Sequence, residues 1–358
     1  GAVEQGAHSL MYSSRRPFAD DERERLSASV DAIYDDFVGK VAAGRGRPVG
    51  EIEAVGFKTV LAKGYLGVHE LTDDVLDGMR AYLSVAPAHN LPYLEAIGVM
   101  RAQLPEARLV GVFETAFHRT IPEEHRVYPV PYEWYERYGV MKMGYHGASH
   151  GYIAQRLSGY RRVISCHLGG SGSICAILDG QSIDNSFGFS LQAGVPHASR
   201  TGDVDVYLVP FLLKQGLTLD EIYEGFGKNG GLKGISGTSG DMRDIEKAIA
   251  AGSERAMLAL KVMATSILRY IGAYVMELGG LDALAFTGGI GENSARLRKM
   301  ILERMAFRGI KLDETANASG DGERNISAPG SAADVFVIPA NEEYMVVNET
   351  YKNCLERQ

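Results

Sequence analysis

The feature that most constrains this fold is a set of glycine-rich turns, each set beside a short apolar run or an amphipathic segment. His167–Leu168–Gly169–Gly170–Ser171–Gly172–Ser173 follows the run Val163–His167, and Phe286–Thr287–Gly288–Gly289–Ile290–Gly291–Glu292–Asn293–Ser294 joins the run Ala283–Thr287 to an amphipathic segment. A third, from Gly230 to Asp241, opens another amphipathic segment. Glycine makes up 43 of 358 residues, well above the usual ~7%, so these clusters mark places where backbone must come close to something. A glycine turn from a strand into a helix N-terminus presents free N–H groups and a positive dipole end, which suits phosphate. None of the three fits a P-loop or a GxGxxG fingerprint. The nucleotide reading therefore rests on the set, and a steric role in ending strands stays open beside it.

Around these turns, short apolar runs alternate with amphipathic segments. Val55–Leu61, Leu109–Phe113, Val163–His167, Ile174–Leu178, Ala283–Thr287 and Val335–Pro339 read as strands. Asp73–Ser84, Leu91–Leu104, Ser149–Leu157, Asp220–Gly225, Asp244–Met276 (as one helix or two) and Ser294–Met305 read as helices, as does the stretch from Asp20 to Ala43. The alternation predicts an α/β fold, and the length fits about two domains. No apolar run is read as reaching the ~20 residues of a membrane span, and residues 1–30 are polar, so neither a transmembrane helix nor a secretory signal is expected. Gly1 stands where an initiator Met would, which predicts missing upstream sequence. Three cysteines without metal spacing favour a reducing, cytoplasmic setting. The formal charge of -8 argues against a nucleic-acid or anionic-membrane binder. Any anion chemistry must come from local groups.

Arg200 is the most pointed of these, flanked by small residues in Ala198–Ser199–Arg200–Thr201–Gly202–Asp203–Val204–Asp205. A planar, always-charged guanidinium suits developing phosphoryl charge, while a structural pairing with Asp203 or Asp205 is the plainer reading. His146, between Tyr145 and Gly147, reads as a loop residue at a site or as a satisfied structural histidine. His150 reads as packing, since a zinc role for the pair lacks an intervening Glu and a third ligand. Glu114 and Glu342–Glu343 follow predicted strands, where α/β folds keep catalytic carboxylates, and together with glycine turns could hold Mg²⁺ on phosphates.

Taken together the motifs resemble the acetate kinase family, in the acetate/propionate/butyrate kinases of the actin-like and sugar-kinase superfamily. The resemblance runs from about Glu51 onward through VAPAHNLP (85–92), VFETAFH (112–118), YGVMKMGYHGASH (138–150), VISCHLGGSGSICAILDG (163–180), SRTGDVD (199–205), GLKGISGTSGDMRD (231–244), FTGGIGENS (286–294) and VIPANEE (337–343). It implies two actin-like, ribonuclease H-like domains with a cleft between them. The first would comprise residues 51–118 with 344–358, its N-terminal strands missing. The second, residues 119–343, would carry the nucleotide site and a homodimer surface.

The implied reaction moves the ATP γ-phosphate to acetate with Mg²⁺, giving acetyl phosphate and ADP; a propionate or butyrate kinase, or a non-catalytic nucleotide-binding remnant, are the alternatives. Glu114, His146 and Arg200 would be catalytic, Glu114 standing where the family carries Asp. Lys58, Val60, Ala88, His89, Tyr145 and Leu191 would meet the substrate. His167, Leu168, Gly169, Gly170, Ser171, Asp241, Met242, Arg243, Gly289, Ile290, Gly291, Glu292 and Asn293 would hold ATP, and Glu342 the metal. Three departures stand out: Lys58 replaces an Arg, Gly170 replaces an Asn, and the family's opening Asn-x-Gly-Ser-x-Ser-x-Lys loop is absent, which predicts impaired activity. Residues 8–55 instead resemble a helical stretch of signal peptide peptidase A, predicting a foreign segment joined to a truncated kinase; that the helix simply belongs to the kinase domain is the other reading.

Overall fold

The structure, a computed structural model, describes residues 52–83 and 85–355. The helix predicted over 20–43 and the divergent segment 1–50 lie outside the described residues. What is described forms two compact units, one running to Ala116 and resuming at Glu343, the other Phe117–Glu342.

In the first unit, β1 (Ala54–Thr59) pairs in parallel with β3 (Arg108–Phe113), and β2 (Val68–Glu70) lies antiparallel on the far side of β3. A parallel pair needs a long crossover. Here α1 (Asp73–Ala81) and α2 (Pro87–Gln103) supply it. Val75, Leu76 and Met79 of α1 and Ile97 and Met100 of α2 bury against Val55, Phe57, Leu109 and Phe113. Asn90, fully buried, donates from Nδ2 to the carbonyls of Leu61 and Met79, both at 2.9 Å, tying the segment after β1 to the end of α1. Because side chains alternate across a strand, Gly56 faces away from Val55 and Phe57. That face meets the helix Glu342–Leu355, α9 below, where a Cβ on Gly56 would collide with Thr350 Oγ1.

The second unit holds a six-stranded sheet in the order β6-β5-β4-β7-β9-β8. β4 (Arg162–Leu168), β5 (Gly172–Leu178) and β6 (Gln181–Asn185) form an antiparallel meander; β4, β7 (Ala283–Thr287) and β9 (Asp334–Val337) run parallel, and β8 (Arg324–Asn325) closes the edge antiparallel. The central strands are the near-continuous apolar runs expected of a sheet covered on both faces. On one face Ile164, Cys166 and Leu168 pack beneath α6 (Glu254–Glu277). On the other, Val163, Ala283 and Ala285 meet Ile153, Ala154 and Leu157 of α3 (Gly147–Arg156). α4 (Gly231–Ser236), α5 (Met242–Ala250), α7 (Gly288–Asn293), α8 (Ala295–Glu303) and α9 complete the set used below.

The six predicted strands and the predicted helices from residue 73 onward are all present, and 244–276 resolves into two helices. Gly252 at φ +88° breaks the run, and the Ser253 side chain accepts from the Ala256 N–H to start α6. One expectation is corrected. α6 is 24 residues long with a mean hydropathy of 1.3 over its best window, long and apolar enough by those measures to cross a membrane. Its stripe of Ala256, Leu260, Met263, Ile267, Ile271 and Tyr274 is spent on the sheet, the pattern of a core helix. β2, β6 and β8 escaped the reading because they are short or polar, with no periodicity to see. The three cysteines are free.

The Gly56 contact makes a measurable demand. Gly56→Ala should lower the urea midpoint, at a cost of about 1–3 kcal/mol for overpacking, and adding Thr350→Ala should recover part of it. An unchanged midpoint in Gly56→Ala would refute the close approach of α9 to β1.

Candidate active site

Parallel α/β sheets bind ligands beyond the carboxyl ends of their strands, and a cavity of the second unit lies there. It encloses about 650 Å³ and is lined by Gly169 and Gly170 after β4, by Gly289, Ile290, Asn293 and Ser294 around α7, by Gly240 to Arg243 and Glu246 around α5, and by Ala198. The register His167↔Thr287 sets the two strand ends side by side. Gly288 follows at φ +76°, and a Cβ there would lie 2.9 Å from the Leu168 carbonyl oxygen. Only glycine lets the chain turn this tightly against β4.

Eight of the residues predicted to hold ATP line this cavity: Gly169, Gly170, Asp241, Met242, Arg243, Gly289, Ile290 and Asn293. Leu168 does not; it is fully buried in the core. Gly291 is buried between Phe286 and β4. Glu292 turns its carboxylate to the Ala340 N–H, 3.0 Å away, bracing the segment that leads to Glu342. The Gly169–Ser171 turn joins two antiparallel strands and does not lead into a helix, which corrects the reading of its amides as helix N-terminal donors. Ser171 Oγ and Thr287 Oγ1 are buried at this edge without a hydrogen-bond partner among the described residues. Buried hydroxyls are normally satisfied, so an oxygen-rich ligand would complete them. Asp241 caps α5 through the Arg243 N–H, and the Arg243 side chain with that N–H holds its carboxyl down to about 2. The sequence reading missed Ala198, Glu246 and a lining role for Gly240 and Ser294. Glu246 lies one helical turn past Met242, so the 3.6 period pointed to it. Ser294 both caps α8 through the Leu297 N–H and donates to Glu246 Oε1 at 2.6 Å.

Arg200 sits on a loop clamped from both sides. The Ala198 N–H donates to the Gly170 carbonyl, the Lys233 N–H to the Ala198 carbonyl and the Gly230 N–H to the Ser199 carbonyl. Gly231, at φ +58°, approaches the carbonyls of His197 and Arg200 so closely that a Cβ would collide with both. Arg200 Nη1 donates to the Leu191 carbonyl at 2.8 Å. Among the described residues no carboxylate pairs with it: Asp203 accepts from the Gly194 N–H and the Tyr270 hydroxyl, and Asp205 from the Tyr207 N–H. The structural-pair reading fails on these bonds. Burial lowers the guanidinium's pKa, yet it stays charged. His197 Nδ1 accepts from the Gly172 N–H at 2.9 Å, with its ring stacked on Phe187. Burial, then Arg200, pushes this histidine down to about 3.

His146 caps α3 in a left-handed conformation, φ 57°, rare for a residue with a Cβ. Such strain gathers at functional sites. Its ring lies 4.0 Å from that of His167 and its Nδ1 is hydrogen-bonded to Ser173 Oγ at 2.8 Å. His167 Nδ1 is joined to Ser149 Oγ. His150 is fully buried, as expected of a packing residue. Among the described residues the group close enough to share a metal ion is His125, Asp184 and Glu277, and there the Lys142 ammonium already lies 2.6 Å from Asp184.

In the first unit Glu114 follows β3, its N–H donating to the Thr59 carbonyl, and Lys58 Nζ of β1 lies 3.0 Å from Glu114 Oε1. Val60 is buried and His89 exposed; the side chain of Ala88 lies outside the described part. Tyr145 is buried, its hydroxyl donating to the Phe189 carbonyl, while Leu191 offers its carbonyl to Arg200. Glu342 opens α9 behind β9; a carboxylate is a hard oxygen donor of the kind a divalent cation such as Mg²⁺ takes.

Residues 21–348 match the model of the Acetokinase family. The chain is 39% identical over 335 residues to the acetate kinase of Shouchella clausii, covering 91% of this chain and 84% of that protein. Among solved structures it resembles the acetate kinase of Porphyromonas gingivalis (36% identity, TM-score 0.81, covering 89% of this chain and 84% of that one). It also resembles a propionate kinase from Francisella tularensis (32%, 0.83, 90% and 84%). The match begins at residue 21, so the stretch from 21 to 50 falls inside the family pattern. That corrects its assignment to a protease-like segment.

The buried histidines give the unit an acid sensitivity of definite sign. Burial brings His118 from 6.5 to about 4, and His197 lies lower still. The unfolded chain therefore binds more protons on acidification, so their stabilisation is complete above about pH 6.5 and is lost as pH falls toward the folded values. The thermal midpoint should drop steadily from pH 6.5 to 4, and His118→Gln should flatten that slope. A wild-type midpoint level across this range would contradict neutral burial.

Proposed function

This chain belongs to the Acetokinase family, and from that premise we propose that it transfers the γ-phosphoryl group of ATP to acetate, giving ADP and acetyl phosphate. The observation that carries the proposal is that one loop serves two ends: Ala198 forms part of the cavity wall while Arg200, two residues on, projects a guanidinium that no carboxylate among the described residues neutralises. A cavity walled by glycine turns suits a nucleotide. An unneutralised Arg held beside it suits charge developing on a phosphoryl group in flight.

In this reading His146 assists Arg200 at the phosphoryl group. Glu114 and Lys58 serve the acceptor, their ion pair holding each other in place at adjacent parallel strand ends. Mg²⁺, held through Glu342, would neutralise phosphate charge when bound. Phosphoryl transfer asks little covalent chemistry of a protein, so positioning and fixed charge supply the catalysis. Propionate is the second acceptor to consider, because a propionate kinase is among the close structural relatives.

We also propose a homodimer. Val206, Tyr207, Phe211 and Tyr223 are each more than half exposed, and α6 exposes Leu258, Val262 and Met276 on the side away from the sheet. A monomer rarely leaves so much apolar surface in water. Light scattering should give twice the chain mass, with Tyr207→Glu plus Phe211→Glu reduced to one. A monomeric wild type at micromolar concentration would overturn this.

Trapping acyl phosphate as hydroxamate from ATP, Mg²⁺ and acetate, propionate or butyrate tests the reaction. Acetate should give the highest kcat/KM. A chain that binds ATP yet yields no hydroxamate with any of the three would support the non-catalytic remnant instead. Arg200→Ala should lower kcat by roughly a thousand-fold with little change in ATP affinity; an unchanged kcat would displace Arg200 from the reaction.

A further inference from the structure

Behind His146 lies a chain of buried hydroxyls and imidazoles that the reaction as described does not use. Ser165 Oγ is hydrogen-bonded to His150 Nδ1, His150 Nε2 to Ser173 Oγ, and Ser173 Oγ to His146 Nδ1, each at 2.8 Å. Ser165, His150 and Ser173 are completely buried. His150 is neutral, since burial holds its pKa far below the usual value.

Each serine has one proton and each neutral ring has one, so the directions can be worked out from what burial tolerates. If Ser173 donated to His150, His150 would have to donate from Nδ1 to Ser165, leaving the Ser165 proton buried without an acceptor. If Ser173 accepted from both rings, its own proton would be stranded. Either arrangement costs about 1–3 kcal/mol for an unmet buried donor. One direction satisfies every proton: Ser165 O–H donates to His150 Nδ1, His150 Nε2–H to Ser173 Oγ, and Ser173 O–H to His146 Nδ1.

We infer that Ser165, His150 and Ser173 are positioning residues that lock neutral His146 with its proton on Nε2. The locked ring is a hydrogen-bond donor that needs no positive charge, which matters because the His167 ring lies 4.0 Å away and two imidazolium rings at that distance would repel. A neutral donor also keeps its proton at alkaline pH, so it can hold a phosphoryl oxygen without acting as an acid. This rests on the reading of His146 as a group of the phosphoryl-transfer site.

Long-range ¹⁵N–¹H imidazole spectra of the labelled full chain at mildly alkaline pH report the tautomer without any assay. The expected spectrum has Nε2 protonated and Nδ1 bare in both His146 and His150. The opposite tautomer, or an even mixture, at His146 overturns the inference. Ser173→Ala should mix the His146 tautomers and lower kcat by about ten- to a hundred-fold, as loss of a supporting partner does, with KM for ATP unchanged. His150→Gln, which keeps a donor at the Nε2 position, should retain the tautomer where His150→Leu loses it. Equal behaviour of these two variants counts against the relay. Should Ser173→Ala fail to fold, the wild-type spectrum decides alone. If the tautomer is as stated but His146→Ala leaves kcat intact, the role of His146 falls and the relay stands.

Discussion

The parallel ladder between β4 and β7 is the joint on which the rest of the second unit depends. Pairing Val163 with Ala283 and His167 with Thr287 brings two strand ends level. From there the chain leaves in two directions, through a hairpin turn on one side and a sharp glycine entry into α7 on the other. Both departures leave backbone bare along one edge, and the nucleotide-sized cavity is that edge. A register slip of one residue would send His167 to the α6 face and Leu168 toward Ser149, dismantling core and site together.

Around that joint the molecule spends its glycines on proximity. Gly231 and Gly240 let α4 and the approach to α5 press against the carbonyls of the loop that carries Arg200, and Gly202 lets that loop fold back on Gly194 and Val195. The result is a charged side chain whose backbone has few alternatives. A preorganised donor is worth more to a reaction than a mobile one, because nothing has to be reordered as charge develops. The same economy explains Asp203, which spends its carboxylate on the Gly194 N–H and on Tyr270 and leaves Arg200 unneutralised.

How much of this was legible beforehand follows from the kind of signal each part emits. Apolar runs such as Val163–His167 and Ala283–Thr287 announce buried parallel strands, and Gly252 next to Ser253 announces a break between two helices. The thirteen residues expected to hold ATP were found mainly through motifs, and eight of them line the cavity. The misses have physical reasons. Leu168 and Gly291 sit within the glycine motifs but point inward, a distinction made by strand alternation and by packing against Phe286, which spacing alone does not convey. Ser171 sits in the hairpin turn with Gly169 and Gly170, yet its hydroxyl is buried at the strand edge outside the cavity lining, which composition does not convey. Asn90 and the Ser165–His150–Ser173 chain depend on partners far apart in sequence, so no local pattern reveals them. Arg200 stood out by its small flanking residues, but its release from Asp203 and Asp205 depended on where Tyr207 and Tyr270 lie.

The close packing of α9 on β1 also bears on how the chain is made. Residues 117–342 are continuous, so the second unit has everything it needs once that stretch has left the ribosome. The first unit does not: Gly56 and its neighbours must wait, nearly three hundred residues of synthesis later, for Thr350 and Val346 to arrive. Domains tend to fold as units during synthesis, and here the order of emergence is inverted, with the first unit to appear being the last to close. In the meantime its described strands lack the cover that α9 gives the Gly56 face. Strand surface waiting for a late-arriving helix is the kind of exposure that invites mispairing while a chain is being made.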